Sequence, residues 1–244
     1  MVSTKTLDCE YSWHLYGRLE RELWNLLGPD VAVVCTGVDG DVSRLLIEEQ
    51  ALIAGAIASR QREFAAGRLA ARSAIRRLNG KEGPVPANTD RSPRWPAGFV
   101  GSIAHSTDVC LAVVGLQSTW KSIGVDIEID REIEETLWDI ICTPEELSLI
   151  REEPSGVQGI RVAEVFVAKE ALYKWHHPQR KILFDFQAVS LQWSEDRRQF
   201  RATADSRVYF DDMDKLEGRF LRLAGCLIAC CATRQRGPSP PSHI

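Results

Sequence analysis

Asp126 and Glu128 lie one residue apart within Ser122-Ile-Gly-Val-Asp-Ile-Glu-Ile129. Ile123, Val125, Ile127 and Ile129 alternate there with Gly124, Asp126 and Glu128, which is the period of a half-buried strand. The four β-branched residues then enter a core. The two carboxylates leave the opposite face side by side, with Cα atoms roughly 6.5–7 Å apart. Adjacent carboxylates repel each other unless a cation lies between them or one keeps a proton. Hard oxygen donors of this kind suit Mg²⁺, which takes one or two carboxylates and fills its shell with water and substrate phosphate. An edge strand showing acids to water explains the same stretch without any chemistry. The remaining motifs have to decide.

Lys169, Glu170 and Lys174 interrupt an otherwise apolar and small stretch, and the spacing predicts a helix over about 161–175. Val162, Val165, Phe166, Leu172 and Tyr173 mark its apolar side. As a bare i,i+4 ion pair, Glu170 with Lys174 contributes ~0.3 kcal/mol and decorates a surface. Phe166, Glu170 and Lys174 share one face, however, so Glu170 sits beside a buried aromatic and is a candidate third carboxylate. His105 follows a Gly101-Ser102 turn ahead of a strand; a lone histidine is most often a hydrogen-bonded structural residue. Arg60 and Arg68 stand one helical turn either side of Phe64, bordering the buried face, where an arginine either snorkels its stem or holds an anion. Arg91 belongs to a Gly/Pro-rich loop over 81–98, the usual home of binding residues.

The elements that position these groups follow from punctuation and period. A strand is predicted over 31–35, after Gly28-Pro29-Asp30, and helical pattern over 45–78. Ser59 is the expected cap of a helix striped by Phe64, Ala71, Ile75 and Leu78 and stopped at Asn79-Gly80. Strands are expected over 99–103 and 110–114. Thr143-Pro144-Glu145-Glu146 reads as an N-cap, a first-turn proline and a capping box with no further role. Residues 152–159 read as a polar break. Antiparallel strands are expected over 185–193, 200–203 and 220–232. The first 45 residues otherwise carry no clear pattern, and 235–244 read as a disordered Pro/Ser tail. This supports an α+β fold with a joint in mid-chain.

The 244 residues, 44% hydrophobic and 26% charged, describe an ordinary globular chain. The net charge of −4 argues against a general binder of nucleic acid or anionic membrane. Seven scattered cysteines without a CxxC pair suggest reduced thiols and a cytoplasmic protein. No signal-peptide pattern is visible. The apolar run over 221–232 is shorter than the ~20 residues a membrane helix needs.

Four separated motifs together resemble the 4′-phosphopantetheinyl transferases, of the type that includes the enterobactin synthetase transferase component. They are Arg60-Gln-Arg-Glu-Phe-Ala-Ala-Gly-Arg68, Arg91-Ser-Pro-Arg-Trp-Pro-Ala-Gly-Phe-Val-Gly-Ser-Ile-Ala-His105, Gly124-Val-Asp-Ile-Glu128 and Phe166-Val-Ala-Lys-Glu-Ala-Leu-Tyr-Lys174. The resemblance implies that Asp126, Glu128 and Glu170 hold Mg²⁺, with Mn²⁺ an alternative. Arg60, Arg68 and Arg91 match positions that bind coenzyme A, and Ser102 and His105 match the pair against its 3′-phosphate. Lys169 and Lys174 match lysines near the pyrophosphate, so Glu170 and Lys174 form the catalytic pair. Two positions depart from the pattern: Ala104 stands where the family often has Thr or Ser, and Asn88 about where some relatives carry a lysine.

The implied reaction moves 4′-phosphopantetheine from coenzyme A to a serine of an apo acyl or peptidyl carrier protein, leaving adenosine 3′,5′-bisphosphate. A weak alcohol attacking a heavily charged phosphoryl group needs positioning, charge neutralisation and one base. Either Glu170 or a metal-activated water fills the last role. Two other readings use the same parts: a metal-dependent hydrolase of the coenzyme A pyrophosphate, or an inactive paralogue that binds coenzyme A or the carrier. The implied fold is α+β, two similar halves related by a pseudo-twofold axis. Each half has a small, mainly antiparallel sheet packed on a long helix, with residues 1–119 and 120–234 as the halves and the coenzyme between them. The expected partner is an apo carrier protein meeting the segment over 129–165, and the expected state is a monomer, alone or associated with a synthetase complex. Siderophore, nonribosomal peptide or polyketide synthesis is the expected setting.

Overall fold

A computed structural model of the chain describes residues 9–181, 184–205 and 212–235. The chain runs α1 (Cys9–Leu27), β1 (Val31–Thr36), α2 (Ile47–Gln50), α3 (Ala58–Arg77), β2 (Phe99–His105), β3 (Cys110–Leu116) and β4 (Trp120–Ile129). It continues with α4 (Trp138–Ile141), α5 (Pro144–Arg151), α6 (Ser155–Arg180), β5 (Val189–Trp193), β6 (Gln199–Ala204), β7 (Glu217–Leu223) and β8 (Cys226–Arg234). The strands form two antiparallel sheets, one in the order β1-β3-β2 and one in the order β4-β8-β7-β6-β5. The fold is α+β, as expected, with a long helix on each sheet.

Alternation along the strands builds the layers. Val31, Val33, Leu111 and Val113 of the first sheet meet Ile123, Val125, Ile127, Ile228 and Cys230 of the second in one core. Each fully buried Val or Ile side chain there contributes about 1.5–3 kcal/mol. On the outer face of the first sheet, α3 presents Ala70, Ala71, Ala74 and Ile75. Its alanines let helix and sheet approach closely. On the outer face of the second sheet, α6 presents Val165, Ala168, Leu172 and Trp175. Helix and strand come closest to touching at Gly124 of β4, where an added Cβ would collide with the Ala171 carbonyl and the Trp175 amide of α6. Gly124→Ala must therefore lift the helix off β4. We expect a loss of roughly 3 kcal/mol, the upper end for overpacking, measured by urea unfolding.

Several expectations need correction. Ser59 does not cap α3: the helix begins at Ala58, and its cap position is Ile57, which makes no side-chain bond. The carbonyls before it are instead held by the Gln61 amide, bonded to Ile53 O and Ala56 O. Helix α6 starts at Ser155, so no polar break extends to 159. Gly159 leaves room for the chain after β4, since an added Cβ there would meet Glu132 and the Ile133 carbonyl. The helix α1 was not foreseen, although Leu19, Leu23 and Leu27 repeat at helical spacing and are buried. At 143–146 the capping box forms as read, with Glu146 accepting from Thr143 N and Thr143 Oγ1 accepting from Glu146 N. The six cysteines among the described residues whose side chains are placed are free and buried. Among the described residues no helix is long and apolar enough to cross a membrane. The expected tail beyond Gln235 lies outside the described residues.

Candidate active site

Strand β2 is one edge of the first sheet and β4 one edge of the second. The two edges lie against each other, α3 flanks one side and α6 the other, and a cleft of about 760 Å³ opens along the seam. Arg60, Phe64 and Arg68 reach it from α3, and His105 from β2. Asp126 and Glu128 come from β4, and Phe166, Glu170 and Lys174 from α6. The loop before β2 adds Asn88, Thr89 and Arg91. Residues far apart in sequence thus face one another because two edge strands meet.

The acidic end is set by period and burial. Asp126 and Glu128 leave β4 on the face that α6 covers, where Asp126 is buried and Glu128 is half-buried at the cleft. Asp126 is only 5% exposed. Its Oδ1 accepts from Lys174 Nζ at 2.6 Å, while Oδ2 is buried and without a hydrogen-bond partner. Burial first, then the Asp126 carboxylate, raises the pKa of both Glu128 and Glu170, and Lys174 opposes the rise. Crowded carboxylates in a drying cleft call for positive charge. Among the described residues no three His, Cys, Asp or Glu side chains already enclose a point as a finished metal cage. The bare Asp126 Oδ2, with two further hard oxygen donors lining the same cleft, nonetheless fits a small divalent cation whose remaining ligands come from water and substrate.

The basic end is equally specific. The Arg68 guanidinium lies over the Phe64 ring at 4.2 Å from its centroid. Arg68 is 5% exposed, its Nε has no partner, and burial pulls its pKa down to about 10, leaving it charged at pH 7. A buried cation with an open donor is half of an ion pair. Arg60 donates from one guanidinium nitrogen to Glu63 Oε2 at 3.1 Å and lies 3.0 Å from His105 Nε2. Because the arginine must be the donor in that contact, His105 accepts at Nε2 and is neutral. Burial, which lowers its pKa, acts in the same direction. Glu63 was not anticipated. It lies within the Arg60 motif, three residues on, and holds Arg60 in place.

Two anticipated site residues stand elsewhere. Lys169 does not reach the cleft: it is 0% exposed, with Nζ bonded to Glu146 Oε2 at 2.7 Å, Ile141 O at 2.9 Å and Phe186 O at 2.8 Å. It adjoins Glu170 in sequence, and adjacent helical residues point about 100° apart. Ser102 is three residues before His105 on one strand, so the two side chains leave opposite faces. It is buried at 4% exposure and does not line the cleft.

Fold and cleft together define an α+β protein that faces a set of cations across a seam from three carboxylates, an arrangement suited to a polyanionic substrate. Comparison with known proteins names the class. The 4′-phosphopantetheinyl transferase N-terminal domain matches residues 48–115, and the 4′-phosphopantetheinyl transferase superfamily matches residues 122–222. The chain is 32% identical over 167 residues to 4′-phosphopantetheinyl transferase PptT of Mycobacterium tuberculosis, covering 68% of this chain and 73% of that one. Svp of Streptomyces mobaraensis, also a 4′-phosphopantetheinyl transferase, is 30% identical over 202 residues, 80% of each chain. Enterobactin synthase component D of Escherichia coli K12 is 35% identical over 143 residues, 57% of this chain and 65% of that one. The chain belongs to the 4′-phosphopantetheinyl transferase superfamily and is a transferase that uses coenzyme A to modify carrier proteins.

Proposed function

We propose that the transfer depends on Mg²⁺ held by Asp126, Glu128 and Glu170, with coenzyme A held in the cleft by Arg60, Arg68, Arg91 and His105. The observation that carries this is the buried, unpartnered Asp126 Oδ2 facing two carboxylates whose pKa values are raised. When bound, the cation supplies the positive charge that the pyrophosphate and the crowded carboxylates both need. Arg68 offers its open Nε to a phosphate oxygen. Arg60 and Arg91 offer forked donors, which match phosphate geometry better than a lysine does. Lys174, already 2.6 Å from Asp126, fixes that carboxylate and would offset charge developing on the pyrophosphate. Glu170, which lines the same cleft, would take the proton of the carrier serine, directly or through a metal-activated water.

The carrier docks, on this reading, over the segment after β4, where Leu137, Ile140, Leu149 and Val157 are exposed. The likeness to a protein named enterobactin synthase component D supports a setting in siderophore or other nonribosomal peptide synthesis, or in polyketide synthesis. The chain is taken to act as a cytoplasmic monomer. The direct test is carrier modification with and without a chelator. EDTA should abolish transfer and added Mg²⁺ should restore it. Full activity in excess EDTA would remove the metal from the account.

A further inference from the structure

The loop that brings Arg91 to the cleft is fastened at a distance. Arg91 has a left-handed backbone, φ 67°, unfavourable for a residue with a side chain. A tight turn holds it there: Arg91 N donates to Asn88 O at 2.9 Å, and Asn88 N donates to Ser92 O at 2.8 Å. Asp90 sits at the centre of this turn. Its Oδ1 accepts from Ser92 N at 3.0 Å. Its Oδ2 turns outward and accepts from Lys181 Nζ at 2.6 Å, just past the end of α6, and Lys181 Nζ also reaches Ser92 Oγ at 3.3 Å. His177 Nδ1 lies 4.0 Å from the same Oδ2, with its ring stacked on Tyr173 at a centroid distance of 5.1 Å.

Tyr173, His177 and Lys181 recur every four residues and so form one stripe along the end of α6. Glu170 and Lys174 form the neighbouring stripe, in the cleft. One helix thus contributes Glu170 and Lys174 to the acidic end of the site and also anchors the loop of the basic end. We propose that Asp90, Lys181 and His177 form a latch that holds Arg91 over the cleft, which makes Lys181 a positioning residue for coenzyme A. The inference rests on Arg91 being a coenzyme contact, as proposed above. Lys181 is half exposed, and exposed ion pairs add little to stability. The role of the latch is therefore orientation, where a small displacement of a binding group weakens its contact.

The test is steady-state kinetics with coenzyme A varied and carrier fixed. Lys181→Met should raise KM for coenzyme A roughly five- to tenfold, with kcat within about twofold and the thermal midpoint unchanged. Lys181→Arg should restore KM. Arg91→Ala should raise KM on its own, and adding Lys181→Met to it should change nothing more, because both act through one contact. An unchanged KM in Lys181→Met, with Arg91→Ala impaired, would overturn the latch alone. The same fold-increase from Lys181→Met with and without Arg91 would also overturn it. No effect of Arg91→Ala would overturn the coenzyme contact and the latch together.

Discussion

Glu170→Gln is expected to lower kcat/KM for carrier modification by roughly 10²–10⁴-fold, the range for a lost general base. The fold should survive, because glutamine keeps the shape of the side chain. In chelator-treated protein the variant should also unfold at a higher temperature than the parent. Burial and then the neighbouring Asp126 carboxylate hold the Glu170 pKa above its ordinary 4.5, against the pull of Lys174. A carboxyl whose folded pKa exceeds its unfolded one weakens the fold when ionised. That cost is complete above the folded pKa, fades as pH falls through it, and is gone below the unfolded value. The advantage of the glutamine variant should therefore be largest at neutral and alkaline pH and vanish in acid. Thermal scans from pH 4 to 9 beside an activity assay would check both halves. Loss of activity together with loss of stability would make Glu170 a structural residue.

The second large effect falls on stability. Lys169→Met is expected to cost roughly 3–5 kcal/mol, the usual result of removing one partner of a buried ion pair. For a chain of this size that lowers the thermal midpoint by roughly 6–20 °C. The methionine fills the space but strands the Glu146 carboxylate, which also accepts from Leu191 N at 2.7 Å and Thr143 N at 2.8 Å. Adding Glu146→Gln should recover part of the loss, since glutamine keeps an acceptor without the charge. At temperatures where the variant is folded, KM for coenzyme A should be unchanged. A raised KM with an unshifted midpoint would put Lys169 back in the coenzyme site.

What the sequence disclosed follows from how local each signal is. Asp126 and Glu128 share a face because strands repeat every two residues, and Phe166, Glu170 and Lys174 share one because helices repeat every three to four. Those periods act within a single element. The edge-strand reading of 122–129 holds for the pairing, since β4 is an edge, but not for acids facing water, because nothing local says that α6 covers the outward face of β4. Lys169, which the resemblance matched to lysines near the pyrophosphate, is turned away from the cleft by Glu146, Ile141 and Phe186, partners on other elements that nothing local announces. Ser102, paired with His105 by the resemblance, lies on the other face of β2, since a strand separates residues three apart. The capping box at 143–146 was legible, but the second role of Glu146 was not, because it depends on contacts with β5 and α6.

The most direct measurement is the intact mass of an apo carrier protein after incubation with this protein, coenzyme A and Mg²⁺, with Glu170→Gln as control. The account predicts a carrier heavier by one phosphopantetheine on a single serine, with release of adenosine 3′,5′-bisphosphate, and no gain with the control. A carrier of unchanged mass while coenzyme A is split would contradict it and point to hydrolysis.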